Sequence, residues 1–319
     1  MSFLRVENLS KSYHLRKAFG GRSKEQVHAV DNVSFEVQKG ETLGIVGESG
    51  CGKSTLGRTI VRLEEPTSGR IFFDEEELTS KSQSQLRVVR KKIQMIFQDP
   101  YASLNPRRPI GKIVEEPMRV HGIGREERRE SALSLLAKVG LDRDAYEKYP
   151  HQFSGGQRQR VVIARALSLN PTLVVADEPV SALDVSIQAQ VLNLFKDLQQ
   201  ELGLTYLFIA HDLGVVRHVS DRIAVMYLGK IVEMADAQSL YLQPAHPYTK
   251  ALLSANPRMD SADTQERIVL KGDIPNPINR PTGCSFHPRC PLAQEKCRSE
   301  EPQLLQISSG AQVACHFAS

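Results

Sequence analysis

The sequence predicts an α/β fold built on a mostly parallel β-sheet, and two stretches of the chain indicate it. Residues 42–46 form a short apolar run that leads into a glycine-rich segment and then into a helical pattern. Further on, the apolar runs 173–176 and 206–210 flank a helical pattern over residues 187–202. A strand, a helix and a second strand at this spacing are typical of parallel sheets with helical crossovers.

The composition excludes two classes of protein. The chain has 319 residues with 41 Lys+Arg and 37 Asp+Glu, and a net charge of +4 is too small to predict nucleic-acid binding by electrostatics alone. The longest apolar run, Ile223 to Leu228, has six residues, whereas a membrane-spanning helix needs ~20. The first six residues lack the pattern of a secretory signal, so we expect a cytoplasmic chain whose membrane role comes through partners.

The remaining segments differ in their periodicity. Alternating apolar residues over positions 27–37 predict sheet, and Lys39-Gly40 marks a turn. From about 100 to 150 the chain is charged, with helical periodicity around residues 131–139. Nine prolines and little periodicity follow position 243, so we expect this tail either to stay loose or to be held by something other than a large core.

The glycine-rich segment fits the phosphate-loop pattern G-x-x-x-x-G-K-S between a predicted strand and a predicted helix. Glycines let the backbone wrap a phosphate, and the amides at the helix start supply positive potential. Lys53 would reach the outer phosphates, and Ser54 would offer its hydroxyl to Mg²⁺. The alternative is a glycine-rich turn that fits by chance, but the flanking elements favour a nucleotide site. Its residues are Gly47, Glu48, Ser49, Gly50, Cys51, Gly52, Lys53, Ser54 and Thr55.

Two carboxylates follow the apolar run 173–176. Asp177 and Glu178 would stand at the carboxyl edge of a buried strand, where open α/β sheets bind their ligands. The first carboxylate could serve a metal shell, and the second could orient and deprotonate a water. A charged strand terminus before the Pro179 turn is the alternative, and this motif alone does not decide between the two.

A third motif opens a predicted helix with Ser154, Gly155, Gly156 and Gln157. Its exposed backbone amides would suit a phosphate. Taken alone, an ordinary helix cap is the better interpretation.

The order of these motifs resembles that of the ATP-binding cassette ATPases over about residues 3–235. The resemblance implies a P-loop NTPase (RecA-like) core, an antiparallel β subdomain and a helical signature subdomain at about residues 100–165. The signature begins with Phe153 where the family usually has Leu, and we expect little effect on catalysis. The matching residues run in the order Lys53, Gln98, Ser154 to Gln157, Asp177, Glu178 and His211.

The resemblance implies catalytic roles for three residues. Glu178 is expected to be the catalytic base, and His211 to contact the γ-phosphate of ATP. Gln98 is expected to touch Mg²⁺, as Ser54 does, and to track the transmembrane partner.

The resemblance also implies a dimer. ATP in such cassettes lies between the phosphate loop of one subunit and the signature of the other, and Asp184 belongs to the loop that crosses over. Tyr13 stands where an aromatic ring stacks on adenine, although a single tyrosine could equally belong to the core.

Residues 241–319 resemble the C-terminal extension of oligopeptide and dipeptide importer ATPases, closest to the second of the two ATPase subunits. The matching segments are 248–253, 272–277 and 283–297. The chain thus divides into a nucleotide-binding domain, 1–240, and this C-terminal extension. The resemblance implies an ATP-hydrolysing, energy-coupling subunit of a di- or oligopeptide importer.

Such a subunit would sit at the cytoplasmic face of the bacterial inner membrane. Its expected partners are a second ATPase in a heterodimer, two permeases and an extracytoplasmic substrate-binding protein, and no nucleic acid. Alternatives are an importer of nickel or glutathione, a soluble cassette ATPase acting on DNA or ribosomes, and a subunit without turnover. Lys53 and Ser154 lie 101 positions apart, a short separation that argues against the coiled-coil DNA-repair type, and the single cassette argues against the translation-associated type.

Four of the five cysteines lie within the last 36 positions, as C-x5-C-x6-C-x17-C. Clustered cysteines in a chain without a signal peptide suggest metal binding more than disulfides. Structural zinc usually has close C-x2–4-C pairs, which are absent, and four thiolates from loops fit a [4Fe–4S] cluster at least as well. The family resemblance favours the cluster, with zinc and free thiols as alternatives, so we expect a metal-stapled extension. The ligands would be Cys284, Cys290, Cys297 and Cys315.

Overall fold

The structure is a computed structural model that describes residues 2–16, 22–255, 268–273 and 275–318. Parts of the C-terminal extension, residues 256–267 and 274, therefore lie outside the described ranges. The strands are β1 (Leu4–Arg16), β2 (Arg22–Val37), β3 (Thr42–Val46), β4 (Ser68–Phe73), β5 (Glu76–Glu77), β6 (Ile93–Ile96), β7 (Leu173–Asp177), β8 (Thr205–Ala210), β9 (Arg222–Tyr227), β10 (Lys230–Asp236), β11 (Leu305–Gln306) and β12 (Gln312–Val313). The α-helices are α1 (Lys53–Ile60), α2 (Gln83–Val89), α3 (Pro100–Ser103), α4 (Ile110–Val120), α5 (Arg125–Lys138), α6 (Gly155–Leu167), α7 (Val185–Leu202), α8 (Leu213–Val219), α9 (Ala237–Leu242), α10 (Pro247–Ala255) and α11 (Glu295–Ser299).

The chain forms two units. The first comprises the described parts of 1–38, 42–80 and 210–319, and the second comprises 39–41 and 81–209. No helix in the described part of the chain is long and apolar enough to cross a membrane. The boundary at 240/241 was drawn from sequence and stays a prediction.

An antiparallel sheet in the order β2–β1–β4–β5 belongs to the first unit. Strands β1 and β2 pair along most of their length, with Leu4 opposite Val37 and Val6 opposite Phe35. These four side chains are buried, because residues at a period of two point to the same face of a strand. The alternation before position 40 therefore predicted this sheet correctly.

A second set of strands in the first unit begins with β3, which pairs in parallel with β9. Strands β10 and β12 extend it in antiparallel fashion, with β10 beside β9 and β12 beside β10. All residues of β3 are buried, as expected for a strand covered on both faces. Because β12 lies in the extension, the tail contributes a strand to the first unit.

The second unit contains the parallel strands β6, β7 and β8. Helix α7 connects β7 to β8, which confirms the predicted strand, helix and strand. Phe195 on α7 packs edge-to-face on Tyr206 and Phe208, with ring centroids 5.4 and 5.5 Å apart. This contact fixes the helix on the sheet, because paired aromatic rings add to the free energy gained from their burial.

Helices α3 to α6 occupy residues 100–167 of the same unit. A buried carboxylate, Glu115 on α4, accepts hydrogen bonds from Lys112 and from the hydroxyl of Tyr146. These two donors and the charge of Arg128 outweigh the effect of burial and hold the pKa of Glu115 below its usual value. The polar group is therefore satisfied inside the helical bundle.

Candidate functional site

The glycine-rich loop connects β3 to α1, and two of its glycines leave no space for a side chain. A Cβ added to Gly47 would lie 2.1 Å from the carbonyl oxygen of Met226, and one added to Gly52 would lie 1.9 Å from that of Ala29. Gly52 also has a φ of 104°, in the left-handed region. The loop can adopt this close approach only with glycine at both positions.

Lys53 begins α1 and is only 4% exposed. Its ammonium donates hydrogen bonds to the carbonyl oxygens of Gly47, at 2.8 Å, and Glu48, at 3.0 Å. Gly52 caps the helix without a side-chain hydrogen bond, so backbone amides face the loop at the helix start. A lysine charge and helix-terminal amides in one loop form an anion-binding arrangement.

Cys51 is buried in this loop. Burial raises the pKa of its thiol, so the side chain is neutral near pH 7. Cys51 therefore adds no charge to the loop.

The two carboxylates lie at the end of β7 in the second unit. Asp177 is the last residue of the strand and is fully buried. Glu178 follows with a φ of 47°, a left-handed conformation that is uncommon for residues other than glycine. Its amide donates to the carbonyl of Ile209 at 2.9 Å, and its own carbonyl accepts from Ser181. Such outliers persist where the surrounding structure holds them, and they cluster at functional sites.

Gln98 lies beside this residue. Its side-chain amide donates to the Glu178 carboxylate at 2.9 Å. The structure therefore brings together two of the three side chains expected to act in catalysis.

The third motif caps helix α6. The Ser154 hydroxyl accepts from the Gln157 amide, and the Gln157 side chain accepts from the Ser154 amide, which forms a capping box. A Cβ on Gly156 would lie 2.4 Å from a side-chain carbon of Ile187, so this position too requires glycine. Phe153 is buried, in agreement with a structural role for the first position of the signature.

Asp184 caps helix α7 and is exposed. Its carboxylate accepts from the Ile187 amide at 3.0 Å and from the Ser186 hydroxyl at 2.9 Å. These hydrogen bonds lower the pKa of Asp184 and keep it ionised.

Tyr13 and His211 lie in the first unit. The Tyr13 ring is 37% exposed, its hydroxyl donates to the Glu64 carboxylate, and the Lys11 ammonium lies 4.9 Å from the ring centroid. The alternative that Tyr13 belongs to the core is therefore wrong. His211 is exposed and directly follows β8.

The four cysteines of the extension, all within the described part of the chain, are free thiols. Within the described ranges, no group of three or more His, Cys, Asp or Glu side chains could hold a metal ion. Burial, together with the charges of the other three cysteines of the extension, raises the pKa of the Cys284 thiol to about 11. The metal-stapled extension expected from sequence is not supported, because spacing along the chain does not set the distances between thiols.

Protein contacts hold the extension on the first unit instead. Phe286 is buried, with its ring centroid 5.2 Å from that of Tyr227 and 5.4 Å from that of Tyr248. The buried Glu233 carboxylate accepts the amides of Ala245 and His246 at 2.8 and 2.9 Å. An aromatic cluster and a hydrogen-bonded carboxylate are thus the observed anchors of the extension.

Two residues of the extension also contact the phosphate loop, and sequence analysis did not place them there. Arg289 forms an ion pair with Glu48, and the Tyr248 hydroxyl accepts the Glu48 amide. The segment 248–253 was singled out for its resemblance, but nothing in the sequence pairs residues so far apart in the chain.

Comparison with known proteins identifies the family. A family model of ABC transporters matches residues 30–181, and one of the oligopeptide/dipeptide transporter C-terminal region matches residues 232–297. The oligopeptide transport ATP-binding protein AppF of Bacillus subtilis (strain 168) is 54% identical, over 100% of this chain and 98% of that protein. The dipeptide transport ATP-binding protein DppF of Haemophilus influenzae is 52% identical, over 98% of this chain and 95% of that protein.

Comparison with solved structures supports the same family. The post-hydrolysis dimer of the ATP-binding cassette MJ0796, bound to ADP and Pi, matches with a TM-score of 0.65 and 32% identity. The match covers 73% of this chain and 98% of that one. Since relatives above 50% identity span nearly the whole chain, it belongs to the ATP-binding cassette ATPases, in the branch that carries the oligopeptide/dipeptide transporter C-terminal region.

Proposed function

We propose that the chain hydrolyses ATP to drive the import of di- or oligopeptides through membrane permeases. One observation carries the proposal: the similarity to peptide-transport ATP-binding proteins extends over the whole chain, including the extension. A general cassette ATPase would match the first 240 residues alone.

The phosphate loop would bind the triphosphate. Lys53 is buried against two loop carbonyls, and an incoming phosphate oxygen would replace these weaker acceptors of its ammonium. Tyr13 supports adenine binding because its ring is exposed, and His211 would contact the γ-phosphate.

Oxygen donors of three residues fit Mg²⁺, which prefers hydroxyl, amide and carboxylate oxygens. These are the Ser54 hydroxyl, the Gln98 amide oxygen and the Asp177 carboxylate. When bound, Mg²⁺ would neutralise charge on the phosphate oxygens.

Glu178 would act as the general base. Its carboxylate takes a proton from a water molecule as the water oxygen bonds to the γ-phosphorus, and the bond from that phosphorus to the leaving ADP oxygen breaks. The hydrogen bond from Gln98 orients the carboxylate. Because Gln98 is also the expected link to the membrane partner, movement there would change the position of the base.

The signature residues Ser154, Gly155, Gly156 and Gln157 would face ATP bound by a second, similar ATPase. The capped start of α6 supports this role because its amides are ordered for an anion. Asp184 would stand in the loop that crosses to that partner.

A groove in the second unit would receive a permease. This cavity of about 450 Å³ is lined in equal parts by apolar residues, among them Phe97, Ile113 and Val120, and by polar or charged residues, among them Arg108 and Glu116. Tyr101 and Val120 are exposed apolar side chains nearby in sequence, as expected for a surface that docks a protein helix. The chain would thereby be held at the cytoplasmic face of a bacterial inner membrane and served by an external binding protein.

A [4Fe–4S] cluster on Cys284, Cys290, Cys297 and Cys315 is the further part of the proposal. Its support is the spacing of the four cysteines in the sequence, together with a 2.8 Å hydrogen bond from the Cys284 amide to the Cys297 carbonyl, which brings two of these residues together. A four-iron cluster is larger than a single ion, so its thiolate ligands stand farther apart than the ligands of a single ion. Anaerobic purification with assays of iron and acid-labile sulfide tests it. Close to four of each per chain would support the cluster, and their absence would leave the extension held by protein contacts alone.

Replacement of the native chain by Lys53→Ala in its own host tests the transport function. We expect loss of growth on a peptide that supplies an essential amino acid, with growth on the free amino acid unchanged. Gentle solubilisation of the tagged wild type should recover two permeases and a second cassette ATPase. Normal peptide uptake in the variant would overturn the proposal.

A further inference from the structure

Arg289 of the C-terminal extension binds a residue of the phosphate loop through two parallel hydrogen bonds. Its guanidinium donates to both carboxylate oxygens of Glu48, at 2.7 and 3.0 Å. The Arg289 side chain is 8% exposed and that of Glu48 is 23% exposed, so solvent screens this pair less than a surface pair. The bidentate geometry fixes the direction of the Glu48 side chain as well as its charge.

Tyr248 of the extension binds the backbone of the same residue. Its hydroxyl accepts the Glu48 amide at 2.9 Å, and its ring is fully buried against Tyr227 and Phe286. The extension therefore holds both the side chain and the main chain of one phosphate-loop residue.

These contacts continue to the lysine of the loop. The Glu48 carbonyl accepts from the Lys53 ammonium at 3.0 Å and from the Cys51 amide at 3.3 Å. A shift of the Glu48 peptide would therefore move two groups that shape the phosphate site.

The charge of Glu48 gives the pair a second consequence. A carboxylate within the phosphate loop repels the triphosphate unless a cation neutralises it. Arg289 supplies that cation and keeps the carboxylate turned towards the extension.

We propose that Arg289 and Tyr248 are positioning residues of the nucleotide site, through which the docked extension sets the affinity of the phosphate loop for ATP. This inference rests on the proposed function only in that the loop binds ATP. It does not depend on which substrate is transported.

The test compares variants of the full chain, purified with its membrane partners, by ATPase kinetics and by calorimetric titration with Mg²⁺ and ATP. For Arg289→Gln we expect KM and Kd for ATP to rise about tenfold, with kcat changed less than twofold, because a charge-assisted pair is lost. Arg289→Lys should recover part of the affinity, since it keeps the charge without the bidentate geometry. The double variant Glu48→Gln with Arg289→Gln should bind ATP more tightly than Arg289→Gln alone, because the unpaired carboxylate is gone.

Arg280→Gln is the matched control. Arg280 also belongs to the extension and pairs with a carboxylate of the cassette, Asp31, but it does not contact the phosphate loop. Its loss should lower thermal stability and leave KM for ATP unchanged.

Tyr248→Phe is a second test variant that we expect to fold normally, since it keeps the buried ring and removes only the acceptor of the Glu48 amide. A KM increase for this variant at unchanged melting temperature is expected. The inference is overturned if Arg289→Gln and Tyr248→Phe both keep the wild-type KM, or if Arg280→Gln raises it equally. If the proposed function in peptide import is wrong, the growth assay will show it separately. The affinities for ATP can still be measured and compared in that case.

Discussion

The side-chain amide of Gln98 donates a 2.9 Å hydrogen bond to the carboxylate of Glu178, in the unit that also carries the signature motif. The two residues stand 80 positions apart and follow neighbouring parallel strands, β6 and β7. An amide donor of this kind restricts the rotation of the carboxylate without competing for its proton. The proposed base is thus oriented by the residue that we expect to sense the membrane partner.

Replacing the base should separate binding from turnover. We expect Glu178→Gln to bind ATP with wild-type affinity and to lose at least about 100-fold in hydrolysis, because an amide cannot accept the proton of the attacking water. Phosphate release and equilibrium ATP binding measure the two effects. Undiminished hydrolysis would contradict the assignment.

Removing the orienting donor should have a smaller effect. We expect Gln98→Ala to lower kcat about tenfold, since the carboxylate remains but is no longer held. Hydrolysis by the isolated pair of ATPases and by the complete transporter should be measured in parallel. A larger loss in the transporter would indicate that Gln98 also couples to the permease, whereas no loss in either would show that the hydrogen bond is not used.

The left-handed backbone at Glu178 predicts a stability difference between two inactive variants. Glycine adopts a φ of 47° without the strain that alanine meets, although it loses more entropy on folding. We therefore expect Glu178→Gly to be more stable than Glu178→Ala by about 0.5–1 kcal/mol. Urea unfolding of both variants decides the matter, and equal stability would mean that the backbone relaxes once the side chain is gone.

His246 predicts a loss of stability in acid. It is buried, its Nδ1 accepts the Tyr248 amide at 3.1 Å, and burial lowers its pKa to about 3. The unfolded chain takes up this proton near pH 6.5 and the folded chain does not. The contribution is therefore fully present above pH 6.5 and is lost as the pH falls towards 3, by at most about 1.4 kcal/mol per pH unit.

The variant His246→Asn provides the comparison, because its amide oxygen can accept the same hydrogen bond and does not titrate. The free energy of unfolding should fall less steeply for this variant than for the wild type between pH 6.5 and 5. Parallel pH profiles would show that His246 is protonated without cost in the folded state.

The aromatic cluster predicts the stability of the extension. Phe286→Ala removes a buried ring that contacts Tyr227, Tyr248 and His246, so we expect a loss of about 3–5 kcal/mol. Leu305→Ala, at an exposed position of the same extension, should change stability by less than about 0.5 kcal/mol. Similar melting temperatures for both variants would mean that the extension is anchored elsewhere.

Local sequence patterns predicted the strands, helices and loops whose conformation depends mainly on residues close to one another in the chain. The period of two before position 40 and the strand, helix and strand of β7, α7 and β8 follow from hydrophobic periodicity, and the phosphate loop follows from its glycines. The backbone conformation of Glu178 could not be predicted, because a surrounding network rather than the residue's own preference imposes it.

Contacts between segments that lie far apart in the sequence could not be predicted either, because they too depend on the folded structure rather than on local preference. Arg289 and Glu48 carry no motif that pairs them, and only the folded first unit brings them together. The proximity of the cysteines in sequence suggested a metal anchor, whereas the anchors that the structure shows are the buried residues Phe286 and Glu233. Single aromatic residues in a proline-rich tail show no periodicity from which a core could be predicted.

The division of the chain has a consequence for the order in which the protein folds during synthesis. Residues 81–209 form most of the second unit, and they interrupt the segments of the first. Strand β3 finds its partner β9 only after this whole interval has been made. The inserted unit can thus fold while the ribosome is still translating. The phosphate loop, in contrast, cannot form its contacts until β9 and the C-terminal extension have been synthesised. A pause or a truncation late in translation would therefore leave the second unit folded while the nucleotide site is still incomplete, and chaperones would encounter the chain in that state.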